Sequence, residues 1–171
     1  SLSKTPLMIL KNLNTKFLIN FFIVLLIFLI DRLSKIYVIY LDKKYLGSEI
    51  FSSKFLNISL IWNEGIAFGL FSFDNQNTYN ILTILILLVI SIILFMIIKS
   101  KSYEKYALSM ILGGALGNVF DRIVYKRVPD FIDFHIDDFH WFIFNVSDIF
   151  ITIGVILMIF FEIIDKPKIN Q

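Results

Sequence analysis

The sequence predicts an integral membrane protein that is mainly α-helical, with four transmembrane helices and a small β-element between the first two. The 171 residues are 57% hydrophobic and only 18% charged. A typical soluble domain has about 45–50% apolar and about 25% charged residues. A chain of this size cannot bury so much aliphatic surface in one aqueous core. The third observation is that the apolar residues gather in four long stretches.

Each stretch is long enough to cross a bilayer, whose hydrocarbon core of about 30 Å takes roughly 20 helical residues. The predicted spans cover approximately residues 17–41, 79–98, 106–125 and 141–164 of a single membrane-embedded domain, 1–171. The second span carries no charge, whereas the third is the weakest because it contains three glycines and several polar residues. No small-residue cleavage site follows the first stretch, which favours an uncleaved helix over a secretory signal.

Four spans place both termini on the same side of the membrane. Lysines are dense in the short flanks at the termini and in the 99–105 loop, and such residues tend to remain in the cytoplasm. We therefore expect cytoplasmic termini. Most carboxylates then lie on the outer side.

The connector between the first two spans shows strand signals. Apolar and polar residues alternate along 56–63, which is the period of a half-buried strand. Asn63-Glu64-Gly65 is a turn signal, and 66–73 can return as a second strand. The sequence thus predicts a β-element over approximately 45–73 at the outer interface.

Polar residues inside the spans gather at one depth. A charge at the centre of a span costs about 2.5–3.5 kcal/mol on insertion scales, so it indicates function when a partner can be named. The polar residues near the outer ends of the spans are Asp31 and Lys35 in the first, Asn118, Asp121 and Arg122 in the third, and Asn145 and Asp148 in the fourth. Their common depth predicts a shared site.

Several of these charges have a structural interpretation. Asp31 and Lys35 are four residues apart on one helix and can form a local ion pair. A structural role is also favoured for Asp121, which adjoins Arg122. Asp148 differs, because no cation lies within one helical turn of it. Its carboxylate therefore needs either a proton or a partner from elsewhere in the chain.

Asp130 is the natural partner for Asp148. It follows Pro129, where we expect the chain to bend after the third helix. Two carboxylates in one niche cannot easily both ionise, so together they supply a general acid and a general base. Spacing alone leaves two alternatives open: a small proton-coupled carrier, and a noncatalytic subunit that docks through its glycine-rich third helix.

The stretch 130–140 contains four aspartates and two histidines, residue types that can bind a metal. The histidine spacing matches no recognised ligand motif, so a solvated acidic loop is the favoured interpretation. The chain has no cysteine and a net charge of only +2. We therefore expect no thiolate chemistry, no metal, no cofactor and no nucleic-acid partner.

Five sequence blocks identify a family that the chain resembles. They are Asp31–Lys35 (DRLSK), Asn63–Gly69 (NEGIAFG), Gly113–Arg122 (GGALGNVFDR), Val128–Asp133 (VPDFID) and Phe144–Asp148 (FNVSD). In order and spacing they resemble the lipoprotein signal peptidases, the type II signal peptidases of bacteria. The resemblance covers roughly residues 17 to 164.

The resemblance implies a membrane-embedded aspartic endopeptidase with four helices and a periplasm-facing β-cradle. It implies removal of the signal peptide from diacylglyceryl-modified prolipoproteins, with cleavage before the lipidated cysteine. The implied catalytic pair is Asp130 and Asp148. The implied substrate-binding or supporting residues are Asn63, Gly65, Asn118, Asp121, Arg122, Asn145, Asp31 and Lys35.

The same resemblance implies the partners and the cellular location of the enzyme. Its partners would be the lipidated substrate, membrane lipid and a globomycin-type peptide inhibitor, with no metal or cofactor. The expected location is the bacterial cytoplasmic (inner) membrane, with both termini in the cytoplasm and the active site near the outer face.

Overall fold

Four long helices form the body of the protein. The structure, a computed structural model, describes residues 6–64 and 75–165. The helices are α1 (Pro6–Lys44), α2 (Asn75–Lys99), α3 (Ser102–Tyr125) and α4 (Val146–Ile164). Within the described residues, each of the four contains a stretch that is long and apolar enough to cross a membrane. This confirms the predicted fold class.

A four-stranded antiparallel sheet lies at one end of the helices. Its strands are β1 (Phe51–Ser52), β2 (Leu56–Asn63), β3 (Val128–Ile136) and β4 (Phe139–Phe144), and they neighbour one another in that order. The first two strands confirm a β-element between α1 and α2. The predicted return strand, 66–73, lies outside the described residues.

The other two strands correct the interpretation of residues 130–140 as a solvated acidic loop. They form a hairpin, β3–β4, which pairs with β2 through β3. The acidic residue Asp133 is buried in this sheet, as is His135. Burial alternates with exposure from Asp133 to Ile136, as expected for a strand, and the high charge of the segment masked this period.

Two predicted boundaries also differ from the structure. The chain turns at Lys126, which adopts the left-handed conformation (φ 61°) and donates its backbone N–H to Arg122. Pro129 does not form the bend, since it lies inside β3 opposite Trp62. The fourth helix begins at Val146 and not at 141, because β4 occupies the apolar residues before it.

Helix α3 is the centre of the bundle, with α1, α2 and α4 packed against it. Its glycines permit this close contact. A Cβ at Gly113 would lie 2.9 Å from the Cβ of Ile27 on α1. A Cβ at Gly117 would overlap the Asp31 carboxylate and lie 2.5 Å from the Ser147 hydroxyl oxygen. The small face of α3 therefore brings polar groups of α1 and α4 within hydrogen-bonding distance.

Candidate active site

Asp130 and Asp148 are linked through one residue, Asn145. The Asn145 side-chain amide donates a 2.6 Å hydrogen bond to Oδ1 of Asp130. The backbone N–H of Asn145 donates to Oδ2 of Asp148 at 3.1 Å. Asp130 is 4% exposed, and Asp148 is half-buried. Strand β3 and helix α4 thus hold the two carboxylates against a common neighbour.

The start of α4 fixes the geometry of Asp148. Asn145 is the N-cap of this helix, and its side-chain oxygen accepts the backbone N–H of Asp148 at 3.3 Å. The carboxylate of Asp148 in turn accepts the backbone N–H of Asn145, which completes a capping box. The N-terminus of a helix carries a partial positive charge, which attracts an anionic side chain. The cap therefore orients a carboxylate that has no cation on its own helix.

Asn118 on α3 completes the environment of Asp148. Its Nδ2 donates to Oδ1 of Asp148 at 2.9 Å. Its Oδ1 accepts from Nζ of Lys35 at 2.9 Å and from Nδ2 of Asn145 at 3.2 Å. Because two donors converge on the oxygen, the NH₂ group must face the carboxylate. Asn118 therefore connects Lys35 on α1 to the carboxylate of Asp148 and fixes the orientation of that carboxylate.

Asn63, at the end of β2, contacts the other carboxylate. Its side-chain amide donates to Oδ2 of Asp130 at 2.9 Å. The pairing of β2 with β3 shifts register between Ile58 and Ile61, and Ile61 then pairs with Asp130. A bulge of this kind bends its strand and redirects the side chains beyond it. Both oxygens of Asp130 thereby have an amide donor.

This environment raises the pKa of the Asp130 carboxyl. Burial raises the pKa of its carboxyl above the usual range, and the negative charge of Asp148 raises it further. The hydrogen bonds from Asn63 and Asn145 oppose the shift because they stabilise the charged form, but burial has the largest effect. Asp130 therefore holds a proton to a higher pH than an ordinary aspartate.

A buried cluster of four charges supports the site from α1 and α3. Nζ of Lys35 contacts Asp31 at 2.9 Å and Asp121 at 2.6 Å. Arg32 contacts the same two carboxylates at 3.2 and 2.5 Å. All four side chains are almost completely buried, and their charges balance. Asp31 also accepts the backbone N–H of Ser147 at 3.0 Å, which ties α4 to the cluster.

Sequence reasoning missed Arg32. Asp121 has no cation three or four residues away on its own helix, so its partners had to come from another helix at the same depth. Arg32 and Lys35 are the cations at that depth on α1. Their common depth with Asp121 is the signal that could have identified both as its partners. Arg122 instead donates to the backbone oxygen of Asn118 at 3.3 Å. Gly65 lies outside the described residues.

An apolar cavity opens beside Asp148. Its volume is about 440 Å³. The lining residues are Phe134, Trp141, Phe142, Phe144, Asp148, Ile149, Thr152 and Ile153. The carboxylate of Asp148 is the charged group in this lining, which otherwise consists of aromatic and aliphatic side chains and one threonine. The site can therefore bring a hydrophobic molecule into contact with the carboxylate of Asp148.

Fold and site together define a class: a multi-pass membrane protein with two neighbouring carboxylates at the sheet end of its helices. Comparison with known proteins names the family. Residues 23–164 match the family model described as Signal peptidase (SPase) II. The chain belongs to this family and is a protease of the aspartic type. Removal of signal peptides from prolipoproteins is the activity of this family of bacterial multi-pass membrane proteins.

Individual relatives agree with this assignment. The lipoprotein signal peptidase of Pelagibacter ubique (strain HTCC1062) is 50% identical over 156 residues, which cover 91% of this chain and 94% of that protein. The lipoprotein signal peptidase of Anaplasma phagocytophilum (strain HZ) is 38% identical over 158 residues, covering 91% and 98%. A solved structure described as a bacterial membrane enzyme, at 2.3 Å resolution, matches with a TM-score of 0.69 and 30% identity, covering 89% of this chain and 92% of that one.

Proposed function

We propose that this protease removes the signal peptide from diacylglyceryl-modified prolipoproteins, cutting immediately before the lipidated cysteine, through water activated by Asp130 and Asp148. The observation that carries the proposal is the bridge through Asn145, which holds both carboxylates in one niche. Family membership favours this peptidase over the proton-coupled carrier, which shares the need for intramembrane carboxylates.

The chemistry follows from a shared proton. Repulsion between neighbouring carboxylates favours a pair in which one is protonated and one is ionised. The ionised member removes a proton from water while the protonated member donates to the scissile carbonyl oxygen. The pair titrates as a unit, so the proton belongs to both residues. This reaction draws on no metal and no cofactor.

Asn145 acts as a positioning residue in this mechanism. Its side-chain nitrogen donates to Asp130 and to Asn118, so both amide protons have acceptors within the site. The developing oxyanion is instead stabilised by the protonated carboxyl of the pair. Hydrogen bonding of this kind is effective because the water-excluded environment strengthens it.

The cavity beside Asp148 supports recognition of a lipidated substrate. Its aromatic side chains include Trp141 and Phe142, both about 60% exposed. A diacylglyceryl group can lie along this surface with its acyl chains still in the bilayer, while the peptide bond reaches the carboxylates. A globomycin-type peptide inhibitor would occupy the same space. The lysine distribution supports an inner-membrane location with cytoplasmic termini and the site at the outer face.

Purified protein in detergent tests this function with two peptides of identical sequence, one carrying diacylglyceryl on its cysteine and the other unmodified. We expect cleavage of the lipidated peptide alone, with the lipidated cysteine as the new N-terminus by mass spectrometry. Equal cleavage of both peptides would contradict lipid recognition. A different cut site would contradict the assigned specificity.

Replacing Asn63 should shift the pH profile of cleavage. Its hydrogen bond lowers the pKa of Asp130, so Asn63→Ala should raise that pKa further. Activity requires one proton on the pair and is lost as pH rises and removes it. The descending limb of kcat/KM should therefore move to higher pH in the variant.

Asn57→Ala is the matched control, since this asparagine lies on the same strand and its side chain contacts Ser52 instead. Its descending limb should coincide with that of the unsubstituted protein. An unmoved limb in Asn63→Ala would show that Asn63 does not act on the charge of Asp130.

A further inference from the structure

Three potential metal ligands meet on the β3–β4 hairpin, away from the carboxylate pair. Asp133 and His135 are two residues apart on β3, so they share a face of the strand, while Asp130 points to the other face. His140 on β4 pairs directly with His135. The hairpin therefore assembles a group that the spacing along the sequence does not reveal.

The three side chains are already in contact. Nδ1 of His140 lies 2.9 and 3.0 Å from the two carboxylate oxygens of Asp133. The rings of His135 and His140 stack with centroids 5.0 Å apart and an interplanar angle of 24°. One ligand atom from each of the three residues lies within 4.8 Å of the other two. The cluster has one open side, because His140 is exposed whereas Asp133 and His135 are buried.

One polar atom in this group lacks a partner. His135 is 9% exposed, and within the described part of the chain its buried Nδ1 has no hydrogen bond. Buried side-chain polar atoms are satisfied in the large majority of cases, so each exception requires an explanation. A ligand bound by Nδ1 of His135 would supply one.

We propose that Asp133, His135 and His140 bind a Zn²⁺ ion. Two imidazoles and one carboxylate, with water in the fourth position, are a ligand set that zinc accepts at about 2.0–2.2 Å. Such bonds place tetrahedral ligands about 3.5 Å apart, and the ligand atoms of the three residues already lie within 4.8 Å of one another. Because the ring of His140 is exposed, it has room to adjust. Calcium and magnesium do not fit, because they take oxygen ligands and the group offers a single carboxylate.

Metal binding requires neutral histidine and ionised aspartate, so an ion held by Nδ1 of His140 would take the place of the hydrogen bond between His140 and Asp133. The ion would join β3 to β4 and stabilise the strand that carries Asp130. Its place on the opposite face of that strand separates it from the proposed hydrolysis. The zinc site therefore stands independently of the assigned peptidase chemistry.

Binding can be measured on tag-free protein in detergent, stripped with a chelator and titrated with Zn²⁺ against a coloured competitor. We expect about one ion per chain and a rise in Tm on zinc addition. His140→Ala, at an exposed position, should weaken binding by at least about tenfold, because even outer partners of metal ligands contribute about 10–100-fold. Asp133→Asn should do the same, and both should lose the Tm response.

Asp138→Asn is the matched control, an exposed carboxylate in the same hairpin whose replacement should leave zinc affinity unchanged. Equal weakening in this variant would overturn the site, since it would indicate general attraction to an acidic surface. Retention of zinc by His140→Ala, or absence of stoichiometric binding by the unsubstituted protein, would overturn it as well. In that case the contact between His140 and Asp133 is only a hydrogen bond.

Discussion

Replacing either Asp130 or Asp148 with asparagine should abolish cleavage of the lipidated peptide. Each substitution keeps the size of the side chain and removes its ability to exchange a proton. Loss of general acid–base catalysis lowers the rate by about 10²–10⁴-fold, and each carboxylate is required for the shared proton. Initial rates with purified variants, at matched protein concentration, give the measurement.

Folding must be separated from catalysis in this experiment. Asp130 accepts amide hydrogen bonds at both oxygens, and asparagine can accept at only one position, so a modest loss of stability is expected there. Thermal unfolding should therefore accompany each rate. Asp138→Asn, on the exposed hairpin turn, should retain full activity. Substantial cleavage by Asp130→Asn or Asp148→Asn would refute the two-carboxylate mechanism.

Replacing Lys35 with methionine should cause the largest loss of stability outside the apolar core. Its ammonium group is completely buried and donates to Asp31, Asn118 and Asp121. The substitution leaves two carboxylates with one guanidinium, which is an uncompensated buried charge. Breaking a buried ion pair in this way costs about 3–5 kcal/mol. The free energy of unfolding in a detergent–denaturant titration measures the effect.

A second lysine–aspartate pair provides the control. Lys101 contacts Asp165 at 2.6 Å, but their side chains are 61% and 33% exposed. Solvent screens such pairs, so Lys101→Met should have a much smaller effect on stability. The double variant Lys35→Met, Asp121→Asn restores charge balance and should recover part of the loss. Equal destabilisation by Lys35→Met and Lys101→Met would contradict the role assigned to the cluster.

The sequence predicts the helices and the pairing of carboxylates because both have local signals. A charge inside an apolar stretch is expensive, so Asp148 stands out in the fourth span, and because no cation is near it on its own helix, its partner must come from elsewhere in the chain. The N-cap is also readable: Asn145 followed three residues later by Asp148 is a helix-start pattern. That pattern places the helix start correctly, whereas the apolar run from Trp141 gave one that is too early.

Other features depend on contacts between distant parts of the chain. Apolar composition alone does not distinguish a buried strand from a helix, so the sequence predicts a fourth span that includes the residues of β4. The buried carboxylate of Asp133 has its hydrogen-bond partner, His140, on the other strand of the hairpin. The pairing of Asp121 with Arg32 depends on the close approach of α1 and α3. These contacts follow from tertiary packing and carry no signature within a short window.

The order of the site residues along the chain has a consequence for biosynthesis. Asn63 is translated early, Asp130 arrives after three helices, and Asp148 emerges only with the last one. A growing polypeptide that has released α1, α2 and α3 therefore lacks half of the carboxylate pair and the cap that orients it. Under the two-carboxylate mechanism proposed above, the ribosome must synthesise the chain as far as the start of α4 before hydrolysis is chemically possible. We therefore expect a chain that ends before α4 to be inert as a protease.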